Sequence, residues 1–278
     1  MEYLIGIDIG TSGTKTVIFN RLGETIASHT VEYELFQPEI GWAEQRPEDW
    51  WNAVCKTIKA SIEKAKISPE DIKGIGLSGQ MHGLVLLDRN NNVIRPALLW
   101  CDLRTAKECD EIMDGVGRSR ILDITGNPVL PAFTAPKIQW VKNHERENFN
   151  KINKVLLPKD YIKFMLTGEY CSEYSDASGT SMLDIKKREW SLEILDFLGL
   201  RINQLPSLKE SCEVMGYVNK RSSELTGLKE GTPVVGGAGD QAAGAIGNGI
   251  VKKGMISATV GTSGVVFAYT VKVTILGM

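Results

Sequence analysis

Asp8-Ile9-Gly10-Thr11-Ser12-Gly13-Thr14-Lys15 joins an apolar run over residues 3–8 to a second one over 15–19. Two glycines permit a tight turn there, and successive backbone N–H groups, with the hydroxyls of Thr11, Ser12 and Thr14, can cradle phosphate oxygens. Lys15 adds positive charge, and Asp8 at the strand end can hold a magnesium ion through water. The glycine spacing and the place of the lysine differ from a Walker A loop. A plain β-hairpin uses the same residues, so this segment alone leaves both readings open. What decides is a second copy, Gly261-Thr262-Ser263-Gly264, set between strand-like stretches at 255–260 and 265–270. Two such turns, each inside a strand meander, can grip a nucleotide's phosphates from two sides of a cleft.

Outward from these turns, strands and helices alternate, which makes the class α/β. Strands are predicted over 3–8, 15–19 and 25–33, the last two separated by a turn at 20–23. Pro47, Glu48 and Asp49 open a helix, with proline in its first turn and acids beside it. Its apolar face is Trp51, Val54, Ile58, Ile62 and Ala65. Further strands are predicted around Ile75 and Leu77 and over 84–87 and 233–236. Helices are predicted over 105–113, 136–143, 159–166, 192–198 and 241–247.

The 278 residues carry a net charge of −2 with mixed signs throughout, so no basic face advertises nucleic acid or an anionic membrane. Five cysteines without a CxxC pair and only three histidines argue against a disulfide scaffold or a zinc site. Glu2 and Asp8 interrupt the first apolar stretch, which therefore does not read as a secretory leader. No uninterrupted apolar run reaches spanning length. The expectation is a soluble cytoplasmic protein.

Two segments imitate a dinucleotide fingerprint. Gly74-Ile75-Gly76-Leu77-Ser78-Gly79 is followed by a strand where a helix is required, so its glycines read as points of close backbone approach. Gly237-Ala238-Gly239-Asp240-Gln241-Ala242 stands correctly between strand and helix. No Asp or Glu follows Asp240, however, and Asp240 itself would oppose a pyrophosphate. A carboxylate at a helix N-terminus beside glycines suits a general base, with a helix-capping aspartate as the structural alternative. Gln80-Met81-His82-Gly83 sets polar and soft groups at a strand end, where the small neighbours of His82 let a ligand come close.

Taken together these segments resemble the FGGY carbohydrate kinases. The resemblance is carried by Ile7-Asp8-Ile9-Gly10-Thr11-Ser12, Gly41-Trp42-Ala43-Glu44-Gln45, Ser78-Gly79-Gln80-Met81-His82-Gly83, Trp100-Cys101-Asp102-Leu103-Arg104, Tyr174-Ser175-Asp176-Ala177-Ser178-Gly179-Thr180 and Gly237-Ala238-Gly239-Asp240-Gln241, in family order. The Gln-Met-His-Gly element points to the pentulose kinases rather than to glycerol or gluconate kinases. The resemblance implies an actin-like ATPase (ribonuclease H-like) fold, a mixed sheet flanked by helices, with the second copy of the duplicated domain mostly missing. It divides the chain into a sugar-binding domain over 1–246 and the start of a second domain over 247–278, and residues 271–278 depart from the family pattern.

The implied reaction takes MgATP and D-xylulose to D-xylulose 5-phosphate. Asp240 would be the base and Met81 and His82 the ketose contacts, with Gln80, Trp100, Asp102 and Gln241 lining the sugar cleft. Asp8, Gly10, Thr11, Ser12, Lys15, Gly261, Thr262 and Ser263 would serve ATP, and Asp8 the Mg2+ ion. Partners are then a small ketose and MgATP, without nucleic acid or membrane, with a homodimer as the oligomer to test. The alternatives are a sugar-binding fragment without turnover, a kinase for a related ketose or polyol, and a chaperone-like ATPase. The last has no use for Gln80-Met81-His82-Gly83.

Overall fold

The computed structural model describes residues 1–260 and 264–271. Gly261, Thr262 and Ser263 of the second turn, and residues 272–278, lie outside the described residues. β1 (Tyr3–Ile9), β2 (Gly13–Asn20) and β3 (Thr25–Glu32) form an antiparallel meander in which Asp8 faces Lys15. The Asn20 carboxamide oxygen accepts the N–H groups of Leu22 and Glu24 and closes the turn before β3. α1 (Pro47–Ala65) begins with its proline and two acids as expected, and its Trp50, Val54 and Ile58 are fully buried.

β4 (Ile72–Gly79) runs parallel to β1 and pairs along its whole length, so Gly74–Gly79 is a central strand and not a phosphate loop. β5 (Val214–Tyr217), β6 (Pro233–Val235) and β7 (Ala238–Gly239) complete a seven-stranded sheet in the order β5-β6-β4-β1-β2-β3, with β7 paired to β4 beyond the end of β6. Both β6 and β7 run parallel to β4. Gly237 separates them at φ +74°, and a Cβ there would lie 1.9 Å from the Leu77 carbonyl oxygen. No other residue fits that break. This mixed sheet flanked by helices has the actin-like ATPase architecture.

Alternation along β1 and β4 turns Ile5, Ile7, Ile9, Ile75 and Leu77 to one face, where α1 and α3 (Pro158–Thr167) cover them. Burying a side chain the size of Trp50 contributes on the order of 2–3 kcal/mol. The second core lies away from the sheet, among the helices Ala106–Val116, Arg118–Thr125, α2 (Thr134–His144) and Leu192–Leu198. The helices Arg118–Thr125, Arg146–Lys151 and Lys220–Thr226 were not legible as separate elements; each is a few turns at most and takes its stability from packing. The sheet's other face carries Gly6, Gly76 and Phe19 and borders an apolar groove of about 610 Å³ that reaches Ala243 and Ile246. α4 (Asp240–Gly247) follows β7 directly, and the strands Ile256–Val260 and Gly264–Ala268 pair as a separate hairpin.

Candidate active site

The parallel strands β1, β4 and β7 end together, and the residues that follow them form the site. Gln80 N donates to Ile9 O at 2.8 Å, extending the β1–β4 ladder by one residue. The chain then turns sharply. His82 has φ +67°, a left-handed conformation that costs a non-glycine residue about 1 kcal/mol. Three contacts hold it there. His82 Nδ1 lies 2.7 Å from Gly179 O, Thr134 Oγ1 donates to His82 O at 3.0 Å, and the ring packs on Phe133 with centroids 4.8 Å apart. The next residue is Gly83 because a Cβ there would come within 2.6 Å of Pro158 Cγ.

A backbone carbonyl only accepts, so His82 Nδ1 carries the proton and Nε2 keeps its lone pair. Burial pushes the ring down to about 4, against a smaller upward pull from the Gly179 carbonyl, and Lys137 lowers it further. At neutral pH the ring is an uncharged acceptor. Lys137 is itself fully buried, donating to the carbonyls of Pro131, Ala132 and Phe133, and burial brings its ammonium down to about 7.

Asp240 is the first residue of α4, and the N-cap is Gly239, which has no side chain to cap the helix. Asp240 Oδ1 accepts from the adjacent Gln241 N at 2.7 Å. Desolvation holds this carboxyl above its ordinary value; the Gln241 N–H opposes that, and the Asp8 carboxylate adds to it. A raised carboxyl is the stronger base.

One cleft of about 220 Å³ is lined by Thr11, Met81, His82, Trp100, Asp240, Gln241 and Val265. Asp240 and Gln241 also line an adjoining cavity of about 200 Å³ against Ser257, Val265 and Phe267 of the hairpin. The carboxylate therefore stands where two chambers meet. Thr11 is held to this wall, donating to Gln80 Oε1 at 3.1 Å and accepting from Trp100 Nε1 at 2.9 Å.

Two residues expected to line the cleft belong to the frame behind it. Gln80 is 1% exposed, and its carboxamide bridges Thr11 Oγ1 and Gln45 Oε1. Asp102 is wholly buried, accepting Ala43 N at 2.6 Å and a two-pronged contact from Arg104 at 2.7 to 3.0 Å. Both side chains are taken up by other loops, since short polar motifs tie loops together as readily as they bind ligands. Arg104 in turn stacks 3.5 Å over the Trp42 ring and pairs with Glu44 at 2.8 Å. The segments 41–45 and 100–104 are thus one interlocked support for the strand ends.

Gly10 N donates to Gly13 O and closes the first turn, and Tyr33 OH donates to Gly10 O. Asp8 and Lys15 face each other beside that turn, at the rim of the apolar groove. Among the described residues no group of three or more His, Cys, Asp or Glu gathers as a metal cage. A single carboxylate at Asp8 fits an ion held mainly by water and phosphate oxygens. Among the described residues, too, no helix is long and apolar enough to cross a membrane. Sequence reasoning missed the Gly179 carbonyl, because a backbone atom distant along the chain leaves no side-chain signal.

The family described as FGGY carbohydrate kinases, N-terminal domain, matches residues 3–247. The xylulose kinase of Escherichia coli (strain K12) is 45% identical over 264 residues, which is 95% of this chain and 54% of that protein. The crystal structure of a xyloylose kinase from Brucella ovis superposes with a TM-score of 0.90 at 42% identity, over 96% of this chain and 55% of that one. A gluconate kinase from Lactobacillus acidophilus also reaches 0.90, at 29% identity, over 95% and 53%. The chain spans about half the length of the curated relatives it matches.

Proposed function

The chain belongs to the FGGY family of carbohydrate kinases, and from that we propose that it serves the ATP-dependent phosphorylation of a ketopentose, D-xylulose to D-xylulose 5-phosphate, with Asp240 as general base. The observation that carries the reading is the single cleft shared by Asp240, Met81, His82, Trp100 and Thr11. The sugar would lie against Met81, with a hydroxyl donating to His82 Nε2. The reacting hydroxyl would reach the Asp240 oxygen not taken up by Gln241 N, and lose its proton there as its oxygen attacks the γ-phosphate. Phosphoryl transfer asks mainly for positioning and charge stabilisation, which this wall of strand ends can offer.

The turn Gly10-Thr11-Ser12 and Lys15 would face the nucleotide's phosphates, with Gly261, Thr262 and Ser263 opposite, and Asp8 would take Mg2+ through water. The ion would neutralise phosphate charge. A boundary at 246/247 between the sugar side and the second phosphate side belongs to the same proposal, as does a homodimer. A cytoplasmic setting belongs to the same proposal. Since gluconate and xylulose kinases share this fold equally well, the fold alone does not choose the sugar. Calorimetry with D-xylulose, D-gluconate and glycerol, followed by MgATP and a coupled ADP assay, tests the reading. Binding of D-xylulose no tighter than glycerol would refute it.

A further inference from the structure

Behind the cleft lies a buried charge cluster that the proposed reaction does not use. Lys159 Nζ is 2.9 Å from Asp160, 3.4 Å from Glu173 and 3.5 Å from Asp176, and all four side chains are fully buried. Lys163 adds a contact to Asp160 at 3.1 Å. Buried ions of this kind persist only when each is paired, so the group is costly to disturb. Glu173 also accepts Ser175 N at 2.6 Å, Asp176 N at 3.0 Å and Ser211 Oγ at 3.2 Å. It therefore pins the start of the turn that runs from Tyr174 to Thr180. Ser178 Oγ donates to Ser175 O and Thr180 Oγ1 to Ala177 O, each at 2.7 Å, and keep that turn closed.

From this anchored turn two contacts reach the site. Ser175 Oγ accepts Gly239 N at 3.3 Å, on the residue directly before Asp240. Gly179 O holds His82 Nδ1 at 2.7 Å. Both glycines are at closest approach. A Cβ on Gly239 would fall 2.7 Å from Met81 Cγ, and one on Gly179 would fall 2.5 Å from His82 Cε1.

Resting on the reading of Asp240 as base and His82 as ketose contact, we infer that Ser175 is a positioning residue: it sets Asp240 through Gly239 N, while Gly179 of the same turn sets His82. Base and sugar-reading ring are thereby fixed to one anchored body, and their separation does not depend on flexible loops. Ser175 is only half-buried and carries no charge, so its replacement leaves the Lys159 cluster paired.

The test uses the 278-residue chain with Ser175→Ala, Ser175→Thr, Asp240→Ala and the double variant Ser175→Ala/Asp240→Ala. Loss of one hydrogen bond predicts D-xylulose binding weaker by roughly 2- to 12-fold in Ser175→Ala, measured by calorimetry. Ser175→Thr keeps the acceptor and should bind within about 2-fold of the unmutated chain. In the Asp240→Ala background the Ser175 change should have little further effect, because coupled residues are not additive. A merely structural role would give additive losses and no rescue, and either result overturns the inference. Amide hydrogen exchange at Gly239 and Gln241 supplies a readout that needs no ligand. It should rise about 10-fold or more in Ser175→Ala while the β1–β4 core stays protected. Unchanged exchange there overturns the positioning role. Failure of the unmutated chain to bind D-xylulose refutes the ketose reading instead, and exchange then still decides whether Ser175 holds the Asp240 backbone.

Discussion

Replacing Gly179 by alanine should damage sugar recognition more than it damages the backbone. Gly179 does not have a positive φ, so alanine meets no conformational penalty of its own. The conflict is contact: the new methyl would lie 2.5 Å from His82 Cε1, 2.7 Å from Nδ1 and 3.2 Å from Met81 Cε. Non-bonded carbons settle near 3.5–4.0 Å, so the ring must retreat by about 1 Å. Phe133 packs on that ring and Thr134 holds the His82 carbonyl, so retreat breaks the 2.7 Å bond to Gly179 O. Overpacking of this size costs roughly 1–3 kcal/mol of stability. Misaiming Nε2 removes one hydrogen bond to the sugar, worth about 0.5–1.5 kcal/mol, or roughly 2- to 12-fold in Kd. Calorimetry with D-xylulose, thermal unfolding by circular dichroism, and a nucleotide titration as control give the three readouts. A lowered Tm with an unchanged sugar Kd would refute the role of His82 as a sugar acceptor. An unchanged Tm as well would refute the contact itself.

In any preparation that turns over D-xylulose, Asp240→Asn, whose carboxamide oxygen still accepts the sugar hydroxyl as alanine cannot, should keep sugar binding and lose about 10²- to 10⁴-fold in kcat; near-normal turnover removes Asp240 from the mechanism. His82→Ala should weaken ketose binding and leave nucleotide affinity nearly unchanged, since the ring lines the cleft proposed for the ketose. The His82 ring titrates near 4 when folded against 6.5 as a free group, so the unfolded chain binds its proton first on acidification. Its contribution to stability is therefore full above about pH 6.5 and is lost as pH falls through about 4. Ketose affinity should stay level above about pH 5 and drop near pH 4, when Nε2 becomes a donor; a midpoint near 6.5 would mean an exposed ring. The chain should self-associate through its apolar groove of about 610 Å³ and the exposed residues Ile256 and Val266. A monomer on size exclusion would contradict this.

Local rules made much of the scaffold legible. Alternating isoleucines in β1, the proline and acids opening α1, and the Asn20 turn each act over a few residues, so neighbours in the chain suffice to reveal them. Glycines could be read as close approaches but not assigned partners. That Gly237 faces the Leu77 carbonyl and Gly179 faces His82 depends on strands and turns brought together from far along the chain.

Met81, His82 and Asp240 stand out as candidates in the sequence because soft or titratable groups set among glycines at strand and helix ends have few structural uses, and the fold brings all three to one cleft. Sequence alone also argued against a Walker A loop and a zinc centre, whose spacings this chain lacks, and against a dinucleotide site, because no acid follows Asp240 to hold a ribose. Only the tertiary structure separated cleft-lining groups from supports. Gln80 and Asp102 stand beside cleft residues in sequence, yet their polar atoms are spent on Gln45, Thr11, Ala43 and Arg104. The structure likewise decided the protonation of His82, because a carbonyl distant in the chain holds Nδ1 and burial removes the charge. A sequence records which groups can donate or accept. Which bonds they form is decided by whatever the fold places within about 3 Å of them.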